Sequence, residues 1–417
     1  MKRVLAILII FVSIVNLYSQ QPINSDSLEK LLPKSKGNER IDLLNSISWE
    51  IKYNNPEKAG KMADEAINLS QKTQYAYGLA LANKNKAGIA IIQANFTEAK
   101  PYLQKAEYYI NKTSDQFNKA KIYNLTAIIY REERNFIKSI NYQKKALEIF
   151  KELKDSNEIT GNLHNLAILN GRMNNSYEEL KIYTEIINIE IARQNHFGIA
   201  RTANNLAACF NGLNKLNEAL KYFNIASKSA KTANNPNFES SAYHGIANVY
   251  SKQGKIKQAM QYYNKAIEIN IKYGFKDFLA NNYFNLADIF KAQKMLEESN
   301  EYYIKASQLF EESGNYQDYI NAYSQLAYNY LMQNNIKKAK EIAEKTIQIA
   351  EKINSLPNLC TAHLLHYNIS KKTQQFNEAL KHLEQYNLYT DSLRILEREN
   401  LQLELQTKFE IKNIENT

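Results

Sequence analysis

The chain repeats itself every 40 residues, without a single insertion, over most of its length. One column of the register reads Ala87, Ala127, Ala167, Ala207, Ala247, Ala287, Ala327. A second reads Ala59, Ala99, Ser139, Glu179, Ala219, Ala259, Ser299, Ala339, Ala379, and a third Ala66, Ala106, Ala146, Ile186, Ala226, Ala266, Ala306, Thr346, Tyr386. A fixed period of this length constrains the fold more than composition does. One such unit is too small to bury a core alone, so neighbouring units must stack and share one.

Within a unit the apolar residues recur at helical spacing. Tyr243, Ile246, Ala247 and Tyr250 fall on one face of a first helix; Gly254 interrupts, and Ile256, Ala259, Tyr263 and Ala266 share a face of a second. Small residues at the three columns let two helix axes approach, and a large side chain there would overpack the contact at a cost of roughly 1–3 kcal/mol. The turns repeat as well. Asn95, Asn135, Asn175, Lys215, Lys255, Met295, Asn335 and Gln375 form one turn column, followed by a mostly apolar anchor, from Phe96 to Phe376. Pro101, in the first turns of its helix, removes a hydrogen bond there. Hydrophobic residues at 44% and aromatics at 11%, with only 12 Gly and 6 Pro, suit an ordered helical chain and not a disordered or turn-rich one.

Tyr283-x2-Leu286-Ala287-x2-Phe290 followed by Ser299-x3-Tyr303-x2-Ala306, and the Asn-Leu-Ala elements at 165–167, 205–207 and 285–287, resemble the tetratricopeptide-repeat signature. The period exceeds the usual 34, as in the longer repeats of kinesin light chains and certain bacterial regulators. The resemblance implies an all-α fold, an α-α superhelix (a tetratricopeptide solenoid) of about nine 40-residue helical hairpins over residues 28–390. Ile47 and Tyr367 replace the column alanine at the two ends, as capping units do. The repeat with Asn170 in an aromatic column and Glu179 in a small-residue column is expected to be the weakest.

At the N-terminus Lys2 and Arg3 precede an apolar stretch, Val4 to Val15, and a small residue at Ser19. That is the pattern of a signal peptide over residues 1–19, followed by a short linker at 20–27. The expectation is a periplasmic or otherwise extracytoplasmic protein, with an uncleaved membrane anchor as the lesser possibility. Removing Lys2 and Arg3 leaves 51 basic and 43 acidic residues, a net charge of +8. Lysine dispersed over solvated faces accounts for this excess, and no basic cluster with interleaved aromatics marks a nucleic-acid stripe. Cys209 and Cys360, the two cysteines, lie nearly four repeats apart, too far for a disulfide.

Tetratricopeptide first helices line a concave groove, and carrying that geometry over implies the binding residues. They are Asn165, Arg201, Asn204, Asn205, His244, Asn248, Lys252 and Asn285. Asparagine and histidine offer donors and acceptors to an extended peptide, and the basic bias of these columns points to an acidic or C-terminal segment. The alternative is that the Asn-Leu-Ala asparagines bridge adjacent repeats. The carboxylate clamp known in the family does not map onto this chain without gaps.

His363 and His366 are spaced i, i+3, and His382 lies on the paired helix, but His363 falls in the column of Tyr243, Tyr283 and Tyr323, and His382 in that of Tyr222, Tyr262 and Tyr302. Packing explains them better than zinc. The sequence has no glycine-rich phosphate loop, His-Glu-x-x-His motif or nucleophile elbow. No catalytic residue, cofactor, metal or small-molecule substrate is expected. From 391 to 417 the repeat gives way to an amphipathic or coiled-coil helix, Leu396 and Leu403 seven apart. With Tyr-Thr-Asp-Ser-Leu at 389–393 it resembles the linker of exported tetratricopeptide input regions in bacterial sensor histidine kinases, here without an output domain. The reading is a non-catalytic protein-protein interaction scaffold that binds a peptide or protein segment. The alternative is an input module or adaptor in two-component or transcriptional signalling, with a membrane-linked partner.

Overall fold

The computed structural model describes residues 28–415, so the leader and linker expected at 1–27 lie outside the described residues. Among these residues the regular structure is wholly helical, with no strand. They fall into two compact units, one up to Ile182 with the end of the chain from Glu404, the other Tyr183–Leu403.

The first unit holds α1 (Gly37–Ile51), α2 (Pro56–Thr73), α3 (Ala76–Ile92), α4 (Phe96–Ile110), α5 (Gln116–Glu132), α6 (Phe136–Glu152) and α7 (Ser156–Arg172). The boundary falls inside α8 (Ser176–Ala192). The second unit holds α9 (His196–Gly212), α10 (Leu216–Thr232), α11 (Pro236–Lys252), α12 (Ile256–Tyr273), α13 (Lys276–Ala292), α14 (Leu296–Glu312), α15 (Tyr316–Met332), α16 (Ile336–Lys352), α17 (Leu356–Lys372) and, as far as Leu403, α18 (Phe376–Glu415). Odd-numbered helices are first helices and even-numbered ones second helices.

The register is tighter than the alanine columns indicate, because the turns recur every 20 residues. Left-handed residues stand at Gln74, Ala94, Arg134, Lys154, Asn174, Gln194, Asn214, Asn234, Gly254, Gly274, Lys294, Gly314, Asn334, Asn354 and Gln374. Each ends a helix, and the next residue donates its N–H back to a carbonyl five positions earlier, as Asn95 does to Ala90 at 2.8 Å and Asn335 to Tyr330 at 2.8 Å. That same residue caps the helix that follows: the Oδ1 atoms of Asn95, Asn135, Asn235 and Asn335 accept from the N–H three residues on. One asparagine therefore closes one helix and opens another. Position 114 breaks the series; α4, which contains Pro101, stops at Ile110, two residues short of the usual 17.

All seven members of the first alanine column are fully buried. The serines of the second column explain themselves, since Ser139 Oγ donates to the Ala127 carbonyl at 2.8 Å and Ser299 Oγ to Ala287 at 2.9 Å, tying the second helix to the first. Larger side chains are admitted where a glycine faces them. A Cβ on Gly245 would lie 2.2 Å from the Phe223 ring. Aromatic pairs twelve residues apart line several of the hairpins: Tyr130–Tyr142 with centroids at 5.6 Å, Phe210–Tyr222 at 5.4 Å and Phe290–Tyr302 at 5.3 Å. In the irregular repeat Asn170 occupies that aromatic position, buried, donating to the Leu166 carbonyl and accepting from Asn175. Gly171 beside it leaves room for the Glu179 carboxylate, which a Cβ there would meet at 2.7 Å.

The last helix does not stop where the repeat does. α18 runs unbroken through Tyr389 and on to Glu415, so the terminal helix expected from 391 continues the second helix of the final hairpin. Leu388, Ile395, Leu396 and Leu405 stand exposed along it. No described helix is long and apolar enough to cross a membrane.

Candidate binding surface on the first helices

Most of the expected binding residues are spent on bonds between successive first helices. In the second unit Asn204 donates Nδ2 to the Phe238 carbonyl at 3.0 Å, from α9 to α11. Lys252 returns from α11 to α9, with Nζ donating to the Asn211 carbonyl at 3.0 Å and to its Oδ1 at 2.8 Å. His244 Nδ1 meets Asn282 Oδ1 at 2.9 Å, and Asn285 Nδ2 reaches Asn248 Oδ1 at 3.5 Å, both from α11 to α13. Asn248 also accepts from the Tyr263 hydroxyl, and one repeat later Asp288 accepts from Tyr303 in the same way. These rungs favour the bridging role for His244, Asn248, Lys252 and Asn285. Burial lowers the pKa of both the His244 imidazole and the Lys252 ammonium, the hydrogen bond to Asn282 opposing the shift in His244.

Arg201 is different. It lies one turn into α9, and among the described residues none of its donors finds a hydrogen-bond acceptor, while Nε is fully buried. Burial pushes the guanidinium pKa down, against the pull of Glu190 and then Tyr183. Glu190 does not answer it with an ion pair. Its carboxylate is buried and accepts from Asn195 Nδ2 at 2.8 Å, and it rests on Gly198, where a Cβ would come within 2.3 Å. One turn further along α9, Asn204 Oδ1 is buried with no donor, and Asn205 has no hydrogen bond among the described residues. An unpaired donor and an unpaired acceptor thus stand i, i+3 on one helix face. Asn165, on α7 of the first unit, is half-buried and likewise makes no described hydrogen bond.

Sequence reasoning did not single out Trp49 and Lys52 of the first unit, although Lys84 stands in the inward-facing column of Asn204 and His244. Trp49, the one tryptophan of the chain, lies in the irregular first repeat, where the register gives no guidance. The Nζ atoms of Lys52 and Lys84 stand 3.7 and 4.6 Å from the centroid of its ring. The signal the sequence offered was the lone tryptophan three residues before Lys52.

His363, His366 and His382 do come together on the last hairpin. Nδ1 of His363 lies 3.0 Å from Nδ1 of His382, and the His366 ring stacks on His382 with centroids 4.6 Å apart. His363 and His382 occupy the place that Tyr243–Tyr262 and Tyr283–Tyr302 hold in earlier repeats. Among the described residues no group of three or more His, Cys, Asp or Glu has metal-holding geometry. Cys209, on α9, and Cys360, on α17, are not joined by a disulfide.

Residues 198–272 and 278–352 match the family model described as Tetratricopeptide repeat. No curated protein matches the sequence. Among solved structures, aspartyl phosphate phosphatase F from Bacillus subtilis is 17% identical with a TM-score of 0.55, covering 78% of this chain and 92% of its own. The apo form of RapI is 17% identical at a TM-score of 0.53, covering 66% of this chain and 98% of its own. A signal transduction ATPase with a tetratricopeptide repeat sensor from Pyrococcus horikoshii is 20% identical at 0.51, covering 93% of this chain and 53% of its own. At these identities the likeness is one of fold, a stack of helical hairpins of the tetratricopeptide kind.

Proposed function

We propose that the chain is a non-catalytic protein-protein interaction scaffold that holds a peptide or protein segment against the face of its first helices. The observation that carries this reading is the unanswered pair on α9. A largely buried guanidinium without an acceptor costs far more than an exposed one. A ligand carboxylate at Arg201, with a peptide N–H at Asn204 Oδ1, supplies what the protein leaves unmade. An acidic segment is therefore the partner class. Asn205 stands next along the same face, whereas the rung residues His244, Asn248, Lys252 and Asn285 set its spacing.

The test is crosslinking and affinity capture with the mature chain, repeated with Arg201→Glu and Lys252→Glu. Reversal at Arg201 is expected to weaken capture at least tenfold, with a smaller loss at Lys252. Equal capture by wild type and Arg201→Glu, with the helical spectrum intact, would refute the reading. The alternative of an input module or adaptor in bacterial signalling draws support from α18, which extends well past the final hairpin as a linker helix would. Export from the cytoplasm follows from Lys2, Arg3 and the apolar run behind them. Protease protection of the chain in intact cells, lost on opening the outer envelope, checks that placement.

A further inference from the structure

In the first unit an open cavity of about 90 Å³ lies between the second helices α4 and α6, over α5. Four periods further along, in the second unit, the equivalent positions form an apolar cluster. There Tyr263, Leu286 and Ile289 are buried, and Met260, Ile267, Phe290 and Tyr302 pack against them. Three positions keep their character in the cavity, where Ile129, Tyr130 and Tyr142 correspond to Ile289, Phe290 and Tyr302. Four do not. Lys100 stands in the place of Met260, Leu103 of Tyr263, Glu107 of Ile267 and Thr126 of Leu286. Leu103 and Thr126 take bulk from the floor, where they are 2% and 8% exposed; Lys100 and Glu107 bring charge to the rim. One repeat before the apolar cluster, Leu220, Phe223 and Ile246 hold the places of Lys100, Leu103 and Thr126, so the departure belongs to the cavity.

The polar groups of the cavity differ in how they are engaged. Lys100 Nζ is paired at 2.7 Å with Glu133, which is not part of the lining. The Thr126 hydroxyl donates to the Ile122 carbonyl at 2.9 Å. Glu107 Oε2 accepts from the Tyr142 hydroxyl at 3.3 Å, while Oε1 has no donor and no cation pairs with the carboxylate among the described residues. The Gln104 amide on the same rim is exposed and makes no described hydrogen bond. The tyrosine walls already take ammonium groups from the chain itself. Lys138 and Lys100 stand 5.3 and 5.4 Å from the Tyr130 ring, and Lys145 5.1 Å from the Tyr142 ring.

We propose that this cavity binds a short alkylammonium group, with its carbon chain on Leu103, Thr126 and Ile129 and its nitrogen at Glu107 and Gln104. The later repeats define what the floor lacks, the ring of Tyr263 and the branched chain of Leu286, and a ligand chain buried there restores apolar contact. The space is smaller than the roughly 150 Å³ that admits benzene, so the chain must be slender. At the rim, a carboxylate oxygen and an amide oxygen accept from an ammonium head, and the carboxylate selects it over a neutral or anionic one. A free amine and a lysine side chain of a partner present the same group. The site is built from α4, α5 and α6 alone and does not depend on the reading given for Arg201.

Saturation-transfer NMR on the full chain at neutral pH tests this with four probes: butylammonium, Nα-acetyl-lysine methylamide, butanol and butyrate. Saturable transfer to either amine supports the site, and the tighter of the two tells a free source from a peptide-borne one. Glu107→Gln should weaken amine binding at least fivefold and bring it level with butanol. The double variant Leu103→Tyr/Thr126→Leu, which restores the residues of later repeats, should abolish binding and raise the thermal midpoint by roughly 2–4 °C. Transfer to neither amine would overturn the proposal. So would butanol or butyrate binding the wild-type chain as tightly as butylammonium, or either variant binding the amines as wild type does with an unchanged helical spectrum.

Discussion

At the scale of single residues, the structure separates side chains that the sequence presents as alike. Asn204, Asn248 and Asn285 all read from the sequence as groove asparagines of first helices, yet Asn248 is held by Tyr263 and Asn285, while Asn204 keeps an unanswered acceptor. The difference lies in partners 15 to 41 residues away, as in Lys252 reaching back to Asn211, and no local spacing reveals it. Two of the three histidines of the last hairpin, His363 and His382, could be read from the register alone, because their tyrosine columns already said what they pack against. They also carry a pH response. Burial lowers the pKa of all three, to about 4 for His382, where His366 and His363 add to the shift and Glu378 opposes it. Glu351 opposes the shift in His363; Glu344, Glu378 and a backbone bond to Ala343 oppose that in His366, while Lys381 and Lys340 add to the lowering. Since the folded values lie below the unfolded one, about 6.5, the stability these residues lend is complete above that value. It drains as pH falls from there towards 4. Thermal melts across this window should show a falling midpoint, and the double variant His363→Tyr/His382→Tyr, which restores the pair of earlier repeats, should flatten most of the slope.

At the scale of the element, the alanine columns were legible as helix contacts, and every member of the first is buried without remainder. The double use of the turn residue was not legible, because it is a property of the backbone geometry around positions 94 and 134 and not of side-chain type: Ala, Arg, Asn, Gln, Lys and Gly all adopt the left-handed conformation there. Where the cap position holds Lys215, Lys255, Phe275 or Met295, no side chain accepts from the opening turn. Met295→Asn should therefore stabilise the chain by about 1 kcal/mol, and Asn335→Ala should cost about the same; urea midpoints would register both. Gly245→Ala should destabilise more, since its Cβ must displace the Phe223 ring.

At the scale of the molecule, helix starts 40 residues apart make hairpins interchangeable in a way that can be tested by excision. Removing 236–275 from the second unit joins Asn235 to Lys276, one opening turn to another, and should leave a chain that still unfolds cooperatively, with an m-value lower by about a tenth. Removing only 236–255 sets a second helix where a first belongs, and should abolish the cooperative transition. The equal spacing of turns has a mechanical consequence too. A chain drawn out from its two ends meets the same fastening again and again, so it should yield in nearly uniform steps. Each step would release up to about 66–72 Å of contour per helix and its turn, and the interval around residue 114, where the fastening differs, should give way out of sequence.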